Sequence, residues 1–363
     1  MVQQDFGYRT IQITGRESYI VSLPKEWVLS TGLKKGSQVI FRSLEDSSLL
    51  LVPREALEKG GEMKKSKQKE SVFQITHKDN PQSISRRIIS LYAISADQIH
   101  IKFKEGEITS EQKISIKNTV RMLLGSEVTA DLPNGIDIQI LIDHPAFPID
   151  QAIRRMLAIA KSMDDEIVLA FRNFDEKLAH DIIASDDEID RLNLYVIRQL
   201  KSGIERNLFK EMGFSSPKEF LGYRIVTKNI ENIGDNAVGT AMSILSLRKL
   251  IDDQTLNINQ QIDEEVYSSV LKVHAFVHNL IEESLKALFK KDYYHADEII
   301  SEFATTGIQL EKDAMISLLS KKIDPNVAFI LRLILSNSRN MLEYARDIAE
   351  VTLNRTVEDI NKP

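Results

Sequence analysis

The segment E-N-I-G-D-N-A, residues 231–237, lies in the middle of a long helical pattern that covers residues 216–248. Side chains four residues apart on an α-helix are separated by about 40° and share a face. Glu231 and Asp235 therefore share a face, which the apolar residue Val238 continues. Gly234, between the two carboxylates, permits another backbone to approach closely. The segment predicts a helix that brings two carboxylates up to a neighbouring helix.

The preceding helical pattern, residues 174–202, carries a second pair with the same spacing, Asp186 and Asp190. Both lie along an apolar stripe with Ile182 and Ile189, whereas Asp187 and Glu188 point away from it. A buried carboxylate is costly unless it is paired or neutralised. The four carboxylates Asp186, Asp190, Glu231 and Asp235 therefore predict an oxygen-rich cation site. The alternatives are neutralisation by Arg224 or by lysines, and exposure to water.

Helical periodicity continues from Pro148 almost to the end of the chain, with breaks at Asn173, 213–217, 252–253, Asp292 and 324–325. Six helices are predicted, over residues 149–171, 174–202, 216–248, 261–290, 293–322 and 325–355. Their lengths repeat in two sets of three, which indicates an internal duplication. We divide the region into repeat 1 (147–256) and repeat 2 (257–363).

Repeat 2 has fewer carboxylates at the corresponding positions. Glu343 and Asp347 keep the four-residue spacing and are weaker metal candidates, because their face also carries Arg332, Ser336, Arg339 and Glu350. That face is typical of a solvated ladder of ion pairs. The preceding helix has Thr305 and Gln309 in place of two aspartates.

Two histidines, His274 and His278, have a spacing that zinc sites use. Glu282 is the one further ligand nearby in sequence. We interpret the histidines as a packed or solvated pair.

Residues 72–146 alternate between strand and helix patterns. Strands are predicted over 72–76, 98–103 and 136–141, with helices over 81–92 and 110–124. This βαβαβ order predicts a small α/β domain with an open sheet, the middle domain. No glycine in the chain precedes a lysine, which excludes a Walker-type phosphate loop.

The first 56 residues, the head, are rich in short strand patterns. Strands are predicted over 8–13, 19–23, 38–42 and 49–52, and a short helix follows Pro24 over 25–30. So small a unit buries little core by itself and usually needs a partner, often an identical copy. Residues 57–71, L-E-K-G-G-E-M-K-K-S-K-Q-K-E-S, predict a solvated linker.

Composition limits the classes of function. The 363 residues include no cysteine, which excludes disulfides and thiolate metal sites. No apolar run reaches the about 18 residues of a membrane span and no signal peptide is present, so we expect a cytoplasmic protein without membrane insertion. Residues 1–71 carry 12 basic and 9 acidic side chains, whereas residues 147–363 carry 27 and 35. A mildly basic head on an acidic body suggests different partners at the two ends.

The head resembles a known DNA-binding family. S-Y-I-V-S-L-P-K-E-W at 18–27 and G-L-K-K-G at 32–36 are similar to the AbrB/MazE/SpoVT swapped-hairpin domain, in its archaeal variant. The resemblance implies an intertwined homodimeric β-barrel that commonly binds DNA. Its candidate DNA contacts here are Arg9, Arg16, Lys25, Lys34 and Lys35.

The helical region resembles PhoU, a duplicated three-helix bundle that regulates phosphate uptake. E-N-I-G-D-N-A at 231–237 is similar to that family's E-R-I-G-D-x-A, and the Asp186/Asp190 segment is similar to its acidic pair on the preceding helix. The resemblance implies a multinuclear iron or zinc site in repeat 1, with magnesium or manganese left open. Repeat 2 reads R-N-M-L-E at 339–343 and departs from the pattern.

Together these observations predict a non-enzymatic, DNA-binding transcription regulator linked to phosphate uptake or to phosphate or metal status. An alternative is that the head only dimerises and the protein acts by contact with a phosphate transporter or a signalling partner. A metalloenzyme is a third class, since clustered carboxylates with bound metal can activate water.

Overall fold

The computed structural model describes residues 6–15, 18–43, 48–54, 69–104, 108–142, 147–253 and 264–360. The chain divides into two compact units, Met1–Gln68 and Lys69–Pro363, and each is described by itself. The predicted fold class is confirmed: a strand-rich N-terminal region, a small α/β domain and an all-helical remainder. Most of the predicted linker, residues 57–68, lies outside the described residues.

The first unit consists of two antiparallel hairpins and one helix. In chain order its elements are β1 (Gln12–Thr14), β2 (Ser18–Ile20), α1 (Lys25–Ser30), β3 (Val39–Ser43) and β4 (Leu49–Pro53). The predicted bounds of α1 are confirmed. Strands β1 and β2 are shorter than predicted, because the chain pairs only three residues of each with the other.

The middle domain is a four-stranded sheet with two helices. Its elements are β5 (Glu70–Ile75), α2 (Pro81–Ala93), β6 (Gln98–Phe103), α3 (Ser110–Met122), β7 (Ser126–Leu132) and β8 (Gly135–Ile140). The strand order is β5-β6-β8-β7: β5 and β6 are parallel, and β8 runs antiparallel between β6 and β7. Strand β5 begins at Glu70, so residues 70 and 71 of the predicted linker belong to the sheet.

Strand β7 is absent from the predicted βαβαβ order, which is therefore incomplete. Its sequence, S-E-V-T-A-D-L, has no run of large apolar residues, because β7 lies at the edge of the sheet and most of its side chains are at least partly exposed. It pairs with β8 across a turn at residues 133–134. The first strand residue after that turn is Gly135, where a Cβ would lie 2.7 Å from the carbonyl oxygen of Ile101.

The six predicted long helices are confirmed. They are α4 (Ile149–Asn173), α5 (Glu176–Glu205), α6 (Glu219–Asp252), α7 (Glu264–Lys290), a fifth composed of α8 (Tyr293–Glu302), a π-helical turn (Phe303–Gly307) and α9 (Ile308–Ser320), and α10 (Pro325–Ile360). The predicted division between the repeats, 256/257, lies outside the described residues. In the described ranges no helix is both long and apolar enough to cross a membrane.

One hydrophobic core runs through both repeats. The third helices of the two repeats, α6 and α10, pack along each other. At Gly222 a Cβ would lie 2.8 Å from Cγ1 of Val351, so the helices approach too closely for a larger residue. Asn337 of α10 donates a hydrogen bond to Oγ1 of Thr240 on α6 at 3.1 Å.

A buried arginine joins the middle domain to α5. Arg198, on α5, is 4% exposed, and its Nη1 donates to the carbonyl oxygens of Tyr92 at 3.0 Å and Ala96 at 2.6 Å. Its Nη2 lies 3.1 Å from Oδ1 of Asp97, whose Oδ2 accepts from Arg206 at 2.9 Å. We call Asp97, Arg198 and Arg206 the arginine clamp.

Candidate functional site

Helices α5 and α6 pack side by side and bring together the carboxylates singled out in repeat 1. We call Asp186, Asp190, Glu231 and Asp235 the acidic cluster. At Gly234 a Cβ would lie 2.7 Å from Oδ1 of Asp186 and 2.9 Å from Cδ1 of Ile189. The glycine therefore allows the Asp186 side chain to lie directly against the backbone of α6.

The charges of the acidic cluster act on one another. The pKa of Asp186 is raised to about 7, first by burial and then by the charges of Asp190, Asp235 and Glu231. Burial likewise raises the pKa of Asp190, with the charges of Glu231 and Asp235 adding to it. The facing pairs predicted from the two helix patterns thus lie in one electrostatic cluster.

The flanking acids are exposed or paired elsewhere. Asp187 is exposed, and Glu188 forms an ion pair with Arg155 of α4. Of the cations considered from the sequence, Arg224 is exposed. The cation that the structure places at the cluster is Lys228, which forms an ion pair with Glu231. Oppositely charged residues three apart on a helix often form an ion pair, so this pair could have been predicted from the sequence.

The acidic cluster has the oxygen ligands that a hard cation prefers, but its carboxylates do not converge on one point. All four are carboxylates, and Oδ1 of Asp186 is buried with no hydrogen-bond partner. As the side chains stand, however, no three His, Asp or Glu groups within the described ranges are close enough to hold one metal ion. A bound cation would require Lys228 to release Glu231 and the carboxylates to converge.

Repeat 2 places arginines at the corresponding position. Arg339 lies 2.6 Å from Glu311 and 2.8 Å from Glu343. Arg346 pairs with Glu343 and lies 2.9 Å from Asp347. The predicted ladder of ion pairs is therefore present, but it is half-buried rather than fully solvated. Glu343 and Asp347 are held by guanidinium groups.

Thr305 and Gln309 make only local hydrogen bonds. Thr305 donates to the carbonyl oxygen of Ser301 at 2.8 Å, and Gln309 donates to Asp313 at 2.8 Å. Neither side chain contributes a charged ligand, so the described part of repeat 2 has no counterpart of the acidic cluster.

The histidine pair faces aspartates from the other repeat. Nε2 of His274 lies 3.0 Å from both the carbonyl oxygen and Oδ2 of Asp164 on α4, which is 2% exposed. His278 lies 3.7 Å from Asp165. Glu282, the ligand considered from the sequence, is instead paired with Lys161 and Lys286. No local pattern indicated Asp164, which is 110 residues from His274 in the chain.

Four of the five candidate DNA contacts lie on the surface of the head. Arg9, Lys25, Lys34 and Lys35 are exposed, and none forms an ion pair with a residue that the structure describes. The guanidinium of Arg9 donates to the carbonyl oxygen of its neighbour Tyr8 at 2.8 Å. Arg16 lies outside the described residues.

Sequence comparison identifies two domains. Residues 12–58 match the model of the antidote-toxin recognition MazE domain of bacterial antitoxins. Residues 153–244, which span helices α4 to α6, match the PhoU domain. The chain therefore carries a MazE/AbrB-type domain in its head and a PhoU domain in repeat 1, and both are regulatory kinds of domain.

Two solved structures of PhoU proteins show a distant similarity to this chain. The phosphate transport system regulatory protein PhoU from Streptococcus pneumoniae is 15% identical with a TM-score of 0.45, over 59% of this chain and 96% of that one. PhoU from Pseudomonas aeruginosa is 16% identical with a TM-score of 0.46, over 58% of this chain and 96% of that one. No curated protein sequence matches the chain.

The raised pKa of Asp186 leads to a prediction about stability. In metal-free buffer at pH 8, we expect Asp186→Asn to increase the free energy of unfolding by about 1–2 kcal/mol. One pKa unit corresponds to about 1.4 kcal/mol, and partial exposure reduces the effect. A raised carboxyl pKa stabilises the native state at low pH, and this stability is lost as the pH rises from about 4 through about 7. The gain should therefore vanish below pH 4.

Urea unfolding of both proteins across this pH range measures the effect. Asp181→Asn is the matched control, because Asp181 is exposed five residues earlier on α5 and its change should be within about 0.5 kcal/mol. Equal changes for the two variants at pH 8 would contradict the prediction.

Proposed function

We propose that the protein is a homodimeric, DNA-binding transcription regulator whose PhoU-type helical region responds to phosphate or metal status. The observation that supports it most is the lack of any buried residue in the described part of the head. Many of its large apolar side chains are instead exposed; they are Tyr8, Ile11, Ile13, Tyr19, Ile20, Val21, Leu23, Leu29, Ile40, Phe41, Leu49 and Leu50.

An exposed apolar surface of this extent needs a partner. Contiguous apolar patches on isolated proteins mark interaction surfaces. Residues from both hairpins contribute, for example Ile13 and Tyr19, which pair across β1 and β2, and Phe41 of β3. A second copy of the head offers a complementary set of the same strands, and twofold pairing is the commonest way to cover such a surface. The match to the MazE domain supports this dimer.

DNA binding would follow from the basic residues of that dimer. A twofold head presents two copies of Arg9, Lys25, Lys34 and Lys35, all available to phosphate groups. Neutralising DNA phosphates releases condensed counterions, so binding of this kind weakens steeply as salt rises. The MazE/AbrB type of domain supports DNA as the partner.

A second candidate function is regulation by protein contact. Residues 1–71 carry a net charge of only +3, from 12 basic and 9 acidic side chains. That is a small charge for a DNA-binding surface. In this alternative the head only dimerises, and the PhoU-type region contacts a phosphate transporter or a signalling protein.

We expect Arg9→Ala/Arg16→Ala to weaken DNA binding without loss of the dimer. The double change removes up to four cationic groups from a dimer. At about 0.9 units per phosphate contact, the slope of log affinity against log salt should fall by about 3 to 4. Fluorescence anisotropy of labelled duplex DNA over a salt series measures this slope on the full chain, and sedimentation measures the dimer.

The control variant is Arg86→Ala/Lys177→Ala, which removes two exposed cations from helices α2 and α5. Its salt slope should equal that of the wild type. An unchanged slope in the head variant would contradict the role of these arginines. A wild-type dimer that binds no DNA in low salt would favour regulation by protein contact.

Metal binding by the acidic cluster is part of the proposal. Asp186, Asp190, Glu231 and Asp235 would hold an ion such as iron, zinc, manganese or magnesium, which would neutralise their mutual repulsion. A ligand that binds only the native state raises stability by mass action. Added Mn²⁺ or Zn²⁺ should therefore raise the melting temperature of the wild type and not that of Asp186→Asn/Asp235→Asn. Equal shifts in the melting temperatures of the wild type and the double variant would contradict metal binding by the acidic cluster.

A further inference from the structure

A cleft lies where the middle domain meets repeat 1. It is lined by α3, by the beginning of β7 and by Arg191 of α5, and its volume is about 630 Å³. Sites for small molecules usually have volumes of about 300–1,000 Å³ and form where domains meet. The cleft is thus large enough for a ligand of nucleotide size.

Two guanidinium groups in this cleft have no anionic partner among the residues that the structure describes. They belong to Arg121 of α3 and Arg191 of α5. Nε of Arg191 is buried and has no hydrogen-bond partner. The other cation of the lining, Lys117, is already paired with Asp131 at 2.9 Å. Arg121 and Arg191 are therefore the cations of the lining that are available to bind an anionic ligand.

A buried hydroxyl group lies in the same lining. Ser126, the first residue of β7, is 8% exposed, and its Oγ is buried with no hydrogen-bond partner. A buried hydroxyl without a hydrogen-bond partner destabilises the fold unless a ligand or water completes its hydrogen bond. Because Ser126 pairs with Ile140 of β8, its position is fixed by the sheet.

Part of the lining is apolar. Val120, Leu123 and Leu141 line the cleft itself. A second cavity of about 300 Å³ shares Arg191 and is lined mainly by Leu124, Ile142, Phe147 and Leu192. One carboxylate of the cleft, Asp131, is neutralised by Lys113 and Lys117, while Glu127 is exposed at the rim.

We propose that this cleft binds a small organic phosphate. Guanidinium groups form paired, charge-assisted hydrogen bonds to phosphate oxygens, so Arg121 and Arg191 would hold the phosphoryl group. The hydroxyl of Ser126 would donate a further hydrogen bond to it. The apolar wall takes the organic part, and Glu127 at the rim accepts from its hydroxyl or amino groups. This site is independent of the proposed binding of DNA.

Titration calorimetry of the full chain in metal-free buffer tests the proposal with three probes: adenosine monophosphate, adenosine and inorganic phosphate. We expect adenosine monophosphate to bind most tightly. Arg121→Ala and Arg191→Ala should each weaken it by about tenfold or more, the usual effect of losing a charged hydrogen bond. Ser126→Ala should weaken it less. Arg86→Ala, an exposed arginine of the same domain outside the cleft, should leave it unchanged.

Circular dichroism and melting temperature establish that each variant is folded. Adenosine binding as tightly as its monophosphate would overturn recognition of the phosphoryl group. If inorganic phosphate bound as tightly as adenosine monophosphate, the proposal that the cleft recognises the organic part of the ligand would be overturned. Failure of all three probes to bind, or equal affinities in the wild type and both arginine variants, would overturn the site. None of these results bears on DNA binding by the head.

Discussion

We expect Arg198→Met to lower the free energy of unfolding of the full chain by about 3–5 kcal/mol, the usual cost of breaking a buried ion pair from one side. Arg198 satisfies the carbonyl oxygens of Tyr92 and Ala96 as well as the carboxylate of Asp97. Methionine fills a similar volume but donates no hydrogen bond. The two carbonyl oxygens then lose their donor from Arg198, and Asp97 keeps only its other partners.

The loss of stability in Arg198→Met should appear first at the contact between the middle domain and α5. Hydrogen exchange at residues 92–97 should accelerate more than exchange in α10. Lys201→Met is the matched control, since Lys201 is exposed on the same helix three residues further on and should change stability by less than about 0.5 kcal/mol. A loss no larger than that of the control would show that the arginine clamp contributes little to stability.

Stability should also depend on pH through the contact between His274 and Asp164. Burial of His274 lowers its pKa, but the hydrogen bond and charge of Asp164 raise it by more, so the pKa in the folded protein is raised. Asp165 adds to this effect, and His278 is the other titratable group facing the pair. The stabilising imidazolium is therefore fully formed below about pH 6.5 and is lost as the pH rises through the folded-state pKa.

We expect His274→Gln to cost about 3–5 kcal/mol at pH 5.5, because it leaves the buried carboxylate of Asp164 without a cation. The cost should shrink as the pH rises to 8.5. Urea unfolding at several pH values measures it, and an NMR titration of the His274 ring gives the pKa directly. His180→Gln, on an exposed part of α5, should show no such trend. A cost that stays constant or grows with pH would contradict this account.

Much of the helical region could be predicted from sequence because its signals are local. Apolar periodicity fixed the six helices within a few residues, and the four-residue spacing placed Asp186 and Asp190 on a buried stripe. What periodicity cannot supply is the partner across a helix contact. Asp164 and His274 are 110 residues apart, and nothing local to either indicates the other. Strand β7 was missed for a related reason, since an edge strand has a weak apolar pattern.

The acidic cluster shows the same limit. The sequence correctly placed its four members on facing helices, but the cation that reaches Glu231 is Lys228 rather than Arg224. In repeat 2 the sequence showed that carboxylates were missing. It did not show that Arg339 lies between Glu311 and Glu343, because that contact joins α9 to α10. Which side chains meet across a helix contact depends on tertiary packing, and residue spacing within one helix does not determine it.

The close packing of α6 against α10 constrains how the helical region can be divided into fragments. A fragment that ends after Asp252 would leave the surface around Gly222 and Thr240 without Val351 and Asn337. We therefore expect that neither half folds by itself. Truncation at the midpoint should yield an aggregating polypeptide, and the two halves should regain solubility only when they are co-expressed.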